Sequence, residues 1–174
     1  MSPGLDEYSL QFYHITDSIT IGAMKTRTPE SLQEPLLGLT GYVLRRASTA
    51  ALGEFSHKLA SLDLRPTDAA LLVLIDAAPE VTHSEAAEAL GLRRPNLVPV
   101  VAGLEKRGLL ERKRLDFRSE GLVLTDSGSA LLKKARQIIE LHEEQLIARV
   151  PEKLRPMVLP ILMALWGQGD DKSP

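Results

Sequence analysis

From Leu36 to Ala60 apolar residues return every three or four positions, at Leu37, Leu44, Ala47, Ala51, Phe55 and Leu59. That period predicts an amphipathic helix of about 25 residues, ending near Leu62 to Arg65. Pro66 then opens a second helix from the first-turn position that proline favours, with Ala69 to Ile75 as its buried run and Pro79 as its stop. Thr82-His83-Ser84-Glu85 is a capping-box pattern, in which Thr82 caps a backbone amide and Glu85 reaches back. The short helix it starts, Ser84 to Leu90, ends at Gly91, which suits a left-handed C-cap. Arg94-Pro95-Asn96 begins the next helix, through Leu97, Val100, Val101 and Leu104 to Gly108. Two short helices joined by a tight glycine-containing turn predict a helix-turn-helix.

The next segment sharpens that reading. Leu109 to Leu115 and Gly121 to Thr125 read as two strands around the turn-rich Asp116-Phe117-Arg118-Ser119, a β-hairpin directly after the second short helix. Thr125 caps a fifth helix with a stripe at Leu131, Ala135, Ile138, His142 and Leu146, and a last helix runs from Pro151 to Trp166. Pro156 and Pro160 each remove a backbone donor there, so a kink or break is expected. The fold class is mainly α with a small β-hairpin wing: a winged helix-turn-helix flanked by long N- and C-terminal dimerisation helices. Those helices are too long for so small a domain to cover, so a second subunit is expected to supply the missing surface. The expected divisions are an arm over 1–33, an N-terminal dimerisation helix over 34–64 and a winged helix-turn-helix DNA-binding domain over 65–125. C-terminal dimerisation helices over 126–168 and a tail over 169–174 complete the chain. Met24 is an alternative start, which would make 1–23 dispensable.

Composition first excludes. The 174 residues contain no cysteine, which removes disulfide scaffolds, cysteine-ligated zinc, thiol nucleophiles and cysteine redox switches. No stretch of about 18 apolar residues occurs, and the start carries Asp6 and Glu7 without a basic or apolar run, so neither a membrane span nor a signal peptide is read. Cytoplasm is the expected compartment. The net charge of −2 hides its distribution. From Gly91 to Arg118, eight basic residues (Arg93, Arg94, Lys106, Arg107, Arg112, Lys113, Arg114 and Arg118) stand against Glu105, Glu111 and Asp116, a net +5. The other thirteen basic and twenty acidic residues leave −7. Positive charge collected on the reading helix and wing is the electrostatic footprint of a DNA binder. The seven aromatics are too scattered to form stacking platforms, which favours duplex over single strand.

Several short motifs stand in a specific order. They are Gly41-Tyr42-Val43-Leu44-Arg45-Arg46, Glu85-Ala86-Ala87-Glu88-Ala89-Leu90-Gly91-Leu92 and Leu104-Glu105-Lys106-Arg107-Gly108-Leu109-Leu110-Glu111-Arg112. Asp116-Phe117-Arg118 and Leu122-Val123-Leu124-Thr125 with Gly128 follow. In this order the sequence resembles the MarR family of bacterial transcription regulators over roughly Leu36 to Trp166. The resemblance implies a homodimer with intertwined terminal helices, a recognition helix in each major groove and a wing at each adjacent minor groove. It also implies that Asp116 holds the wing's arginines while Arg118 contacts the groove, where a narrow minor groove favours arginine. Since strand neighbours alternate sides, either Arg112 and Arg114 face the groove or phosphates, or Lys113 alone does. The stretch Glu111 to Asp116 is about two residues shorter than the usual family wing, so its tip is expected to reach less deeply. Pro99, Ala102 and Gly103 stand where polar or basic residues are common in the recognition helix. Pro99 is tolerated if the helix starts at Pro95 or Asn96, and bends it otherwise. Asn96 is the best base reader, able to pair with adenine, while Arg93 and Arg94 suit phosphate or guanine. Specificity is then expected to lean on wing insertion and DNA shape.

Catalysis is not expected. His142-Glu143-Glu144-Gln145-Leu146 lacks the second histidine of the zinc-protease helix, no glycine-rich phosphate loop occurs, and Asp126-Ser127-Gly128-Ser129 lacks the first glycine of a nucleophile elbow. His14, His57, His83 and His142 have no metal-like spacing, although His57 and His142 could meet in space. No cofactor and no metal are expected. Many members of the family release DNA on binding a small aromatic or phenolic molecule and others respond to cysteine oxidation, which this chain cannot undergo. A ligand trigger follows by elimination, with Tyr42, Arg46 and His57 as the pocket residues. The reading is a cytoplasmic homodimeric regulator, a repressor, of palindromic double-stranded DNA with a small effector. The alternative is a winged-helix protein–protein assembly module or adaptor without sequence-specific DNA binding.

Overall fold

The structure is a computed structural model that describes residues 32–115 and 119–167. The chain divides into two compact units, Met1–Thr40 and Gly41–Pro174. In the first, Pro35 sets a 3-10 turn over Glu34–Leu36, closed by the Leu37 N–H donating to the Glu34 carbonyl at 3.2 Å. The first long helix, α1, spans Thr40–Leu59 and so starts four residues later than its apolar period predicts. Pro35 and Gly38 favour the turn over a helical start. A 3-10 turn at Ala60–Leu62 extends α1 and stops at Asp63, whose φ of 52° is left-handed.

Three helices and a small sheet then build the predicted winged helix-turn-helix. Helix α2 spans Pro66–Ala77 with proline in its first turn. A two-residue strand β1, Val81–Thr82, leads into α3, His83–Ala89. The capping box forms as the spacing predicts: the Glu85 N–H donates to Thr82 Oγ1 at 3.3 Å, and the Thr82 N–H and hydroxyl donate to Glu85 Oε2 at 2.8 and 2.7 Å. These hydrogen bonds, the hydroxyl's first, hold the Glu85 carboxyl below the usual carboxylate range. Gly91, at φ +62°, makes the left-handed turn to α4, Arg94–Lys106. The wing is β2, Leu110–Arg114, paired antiparallel with β3, Glu120–Leu124, and the sheet order is β1-β3-β2.

The sequence reading lacked β1, because two residues have no alternation to detect and Thr82 already serves as a helix cap. The backbone shows why the strand is there. Glu80 takes φ 69° and its carbonyl lies so close to Gly121 that a Cβ at 121 would overlap it. Only glycine lets β1 seat beside β3.

Helix α5, Asp126–Ala148, is capped by Thr125, whose hydroxyl oxygen accepts the Gly128 N–H at 3.0 Å. Its Leu132, Ala135 and His142 are buried, with Leu131, Ile138 and Leu146 partly so, close to the predicted stripe. The core joins Leu59, Leu71, Leu72, Ile75, Leu97, Val101, Leu104, Leu110 and Leu122. After a 3-10 turn at Glu152–Leu154 comes α6, Arg155–Trp166. The expected break thus falls before Pro156, which takes a first-turn position, and only Pro160 is interior. Arg155 donates to the Val150 and Ala148 carbonyls at 2.9 and 3.3 Å, satisfying the end of α5. No residue of α6 is buried. Among the described residues, no helix is long and apolar enough to cross a membrane.

Candidate nucleic-acid interface

Helix α4 divides cleanly into two faces. Leu97, Val100, Val101 and Leu104 are buried, while Arg94, Pro95, Asn96, Val98, Pro99, Ala102, Gly103 and Lys106 are exposed. Arg93 is the N-cap residue, and the Asn96 N–H donates to its carbonyl at 2.8 Å. The helix starts at Arg94, before Pro95, so Pro99 lies inside it and not in the spare-donor first turn. Exposure limits the cost, since the Pro95 carbonyl left without an amide partner sits on the solvent-facing side. At about 100° per residue, Pro95, Pro99, Ala102 and Lys106 form the stripe opposite the buried one. Asn96 stands to its side. Lys106, which sequence reasoning counted only as charge, belongs on this outward stripe; spacings of four, three and four along the chain were the available signal.

The basic residues of the segment separate into engaged and unengaged groups. Arg107 donates to the Leu62 carbonyl at 3.2 Å and to that of Asp63, so it caps the end of α1. Arg112 reaches Glu105 at the end of α4 at 3.2 Å and Glu120 across the hairpin at 3.6 Å. Lys113, on the opposite face of β2, pairs with Glu80, which raises its pKa. The Arg112–Glu105 and Lys113–Glu80 pairs brace the wing from both faces, one against α4 and one against the β1 turn. Arg93, Arg94, Lys106 and Arg114 form no ion pair with any other described residue. They lie at the two ends of α4 and on the wing. Asp116 and Arg118 lie outside the described residues.

The three expected pocket residues are strung along α1 and do not converge within one chain. Tyr42 and Arg46 are one turn apart, and Arg45 lies 5.4 Å over the Tyr42 ring. His57 stands about 16 Å further along from Arg46 at 1.5 Å per residue. The residue His142 meets is not His57. His142 is buried, stacks on Phe55 with ring centroids 5.0 Å apart, and receives a hydrogen bond from Lys58 Nζ to Nδ1 at 3.2 Å. Lys58 also donates to Gln145 at 2.6 Å. This packed cluster joins α1 to α5, and sequence alone gave no period linking residues so far apart. Glu54 and Arg149 tie the same two helices, and the arginine's hydrogen bond holds the Glu54 carboxyl below its ordinary range. A cavity of about 390 Å³ opens between the end of α1, the start of α2 and α4, lined by Leu64, Arg65, Asp68, Val100 and Arg107 among others. Among the described residues, no group of three or more acidic or histidine side chains could hold a metal ion.

Residues 62–116 match the family model described as MarR family. The transcriptional repressor CouR, solved bound to a 23-mer DNA duplex, is 36% identical with a TM-score of 0.72, covering 76% of this chain and 96% of that chain. CouR bound to p-coumaroyl-CoA is 35% identical with a TM-score of 0.69, covering 75% and 93%. A Thauera aromatica protein described as a transcriptional regulatory protein for the hcr operon is 27% identical over 148 residues, covering 83% of this chain and 89% of that protein.

Proposed function

This chain belongs to the MarR family of winged-helix transcriptional regulators, and from that premise we propose that its homodimer represses from a two-fold-symmetric duplex operator and leaves it when a small aromatic effector binds. The observation that carries the reading is the placement of Arg93, Arg94, Lys106 and Arg114, cations without an ion pair among the described residues, around an exposed α4 and its wing. Helix α4 enters the major groove with Asn96 at base edges; Arg93 and Arg94 bind phosphate, and Arg114 with Arg118 approaches the minor groove, Asp116 steadying them. Arg112 and Lys113 act chiefly by aiming the wing. The arm over 1–33, the reading domain over 65–125 and the dimerisation helices over 34–64 and 126–168 remain the working division.

Selection of the full chain against random duplexes is expected to recover a palindrome with half-sites about one helical turn apart. Affinity should fall steeply with salt, and Arg94→Ala should flatten the slope by about one unit per half-site. Absent or salt-insensitive binding would favour a winged-helix adaptor instead.

The effector reading draws on CouR, which has been solved with p-coumaroyl-CoA. Arg46 forms no ion pair with any described residue and suits an anionic group on such a molecule, with Tyr42 one turn away and His57 further along α1. Titrating p-coumaroyl-CoA into the operator complex is expected to release DNA. Arg46→Ala should weaken that release about tenfold or more, the scale of a lost charged hydrogen bond, while leaving ligand-free operator affinity unchanged. An equal loss in both would place Arg46 on DNA or in folding. Release follows only if the effector prefers a spacing of the two α4 helices that does not fit the duplex.

A further inference from the structure

The outward face of α4 is apolar where hydrogen-bonding readers would be expected. Pro95, Pro99 and Ala102 lie opposite the buried stripe, and Val98 beside them is 53% exposed. At Gly103 no atom lies within 4 Å of where a Cβ would stand, so one flank of the helix is bare to its backbone. Cations bracket this ridge: Arg93 and Arg94 at one end and Lys106 at the other. Arg93, Arg94 and Lys106 form no ion pair with any other described residue, which leaves a narrow apolar ridge with positive charge at both ends. It fits a surface with phosphates at its edges and methyl groups on its floor. In the major groove the apolar group that base pairs present is the thymine C5-methyl.

We propose that Val98, with Pro99 and Ala102, reads thymine methyl groups in each operator half-site and is a specificity-determining contact. The inference rests on the duplex-binding reading. It also joins with Asn96: an amide suited to adenine beside a ridge suited to thymine selects A·T pairs by two independent chemistries.

Once an operator has been selected with the full chain, each thymine is replaced by deoxyuridine, which removes only the C5-methyl. At the contacted positions the loss is expected to be about four-fold per methyl, and about fifteen-fold when both half-sites are changed. Val98→Ala, at an exposed site that folding tolerates, should bind the thymine operator more weakly and lose most of its sensitivity to deoxyuridine at those positions. A selected operator that keeps its affinity within about two-fold at every deoxyuridine would overturn this inference and leave the regulator reading intact. A deoxyuridine penalty unchanged in Val98→Ala would remove Val98 from the contact. Recovery of no sequence at all would overturn both readings.

Discussion

Replacing Leu159 and Leu162 together by aspartate is expected to dissociate the protein into monomers and abolish operator binding. Both side chains project from α6, at 65% and 42% exposure, beside Leu165 and Trp166 at 56% and 73%. A 12-residue helix is marginal in water by itself, and one that is apolar all round requires burial. Nothing among the described residues covers it, and contiguous exposed apolar faces mark interaction surfaces. Helix α1 repeats the pattern, with Val43, Leu44 and Leu52 exposed at 42%, 38% and 52%. A second copy of the chain would bury both faces, and two aspartates at that seam would each place a charge in an apolar interface. A dimer's specific affinity of about 10⁻⁸ M or tighter would then decline to the non-specific range near 10⁻⁵ M, a loss of about a thousandfold. Sedimentation measures the mass and a labelled operator measures the binding. A dimer of unchanged mass, or a monomer that keeps operator affinity, would sink the assignment of α6 to the interface.

Coupling between that seam and the DNA surface has a physical route. Helix α5 touches α1 through Phe55, His142, Lys58 and the Glu54–Arg149 pair, and touches α2 through Arg136 and Asp76 at 2.7 Å. A shift of α1 against its dimer mate therefore moves α5 and the reading domain it holds. An effector bound along α1, as proposed, would act on the separation of the two α4 helices without touching either.

Local signals were the legible part of this fold. Capping at Thr82 and Thr125, the left-handed Gly91 and proline at the starts of α2 and α4 are decided within four residues, and each element they bound is present. Strand β1 was not legible, because it exists through the close approach of Glu80 to Gly121, forty-one positions away. Charge counting marked the basic segment but could not say which of its cations are paired; that depends on Glu80, Glu105 and Glu120, which meet Lys113 and Arg112 only after folding. Tyr42, Arg46 and His57 share one helix, and one helix cannot bring its own two ends together.

Gly128 sets local propensity against tertiary packing, and the balance can be weighed. As the third residue of α5, alanine there should stabilise by about 0.5–1 kcal/mol on backbone entropy alone. Yet a Cβ at 128 would overlap the Leu109 carbonyl, a backbone group with little freedom to yield. That carbonyl accepts the Thr125 N–H at 3.2 Å, and the Thr125 hydroxyl donates to the Gly108 carbonyl at 2.6 Å, so the start of α5 is fastened to the junction between α4 and the wing. Gly128→Ala must therefore displace the junction or unwind the first turn of α5. The expected net loss is about 3 kcal/mol or more, or roughly 6–12 °C in Tm at matched protomer concentration, with operator affinity reduced because the wing is no longer aimed. Gly103→Ala is the internal control: nothing lies within 4 Å of its would-be Cβ, so its Tm should rise by a few degrees. If Gly128→Ala melts at or above the wild-type temperature, propensity has won and the seat of the wing on α5 is looser than the overlap requires.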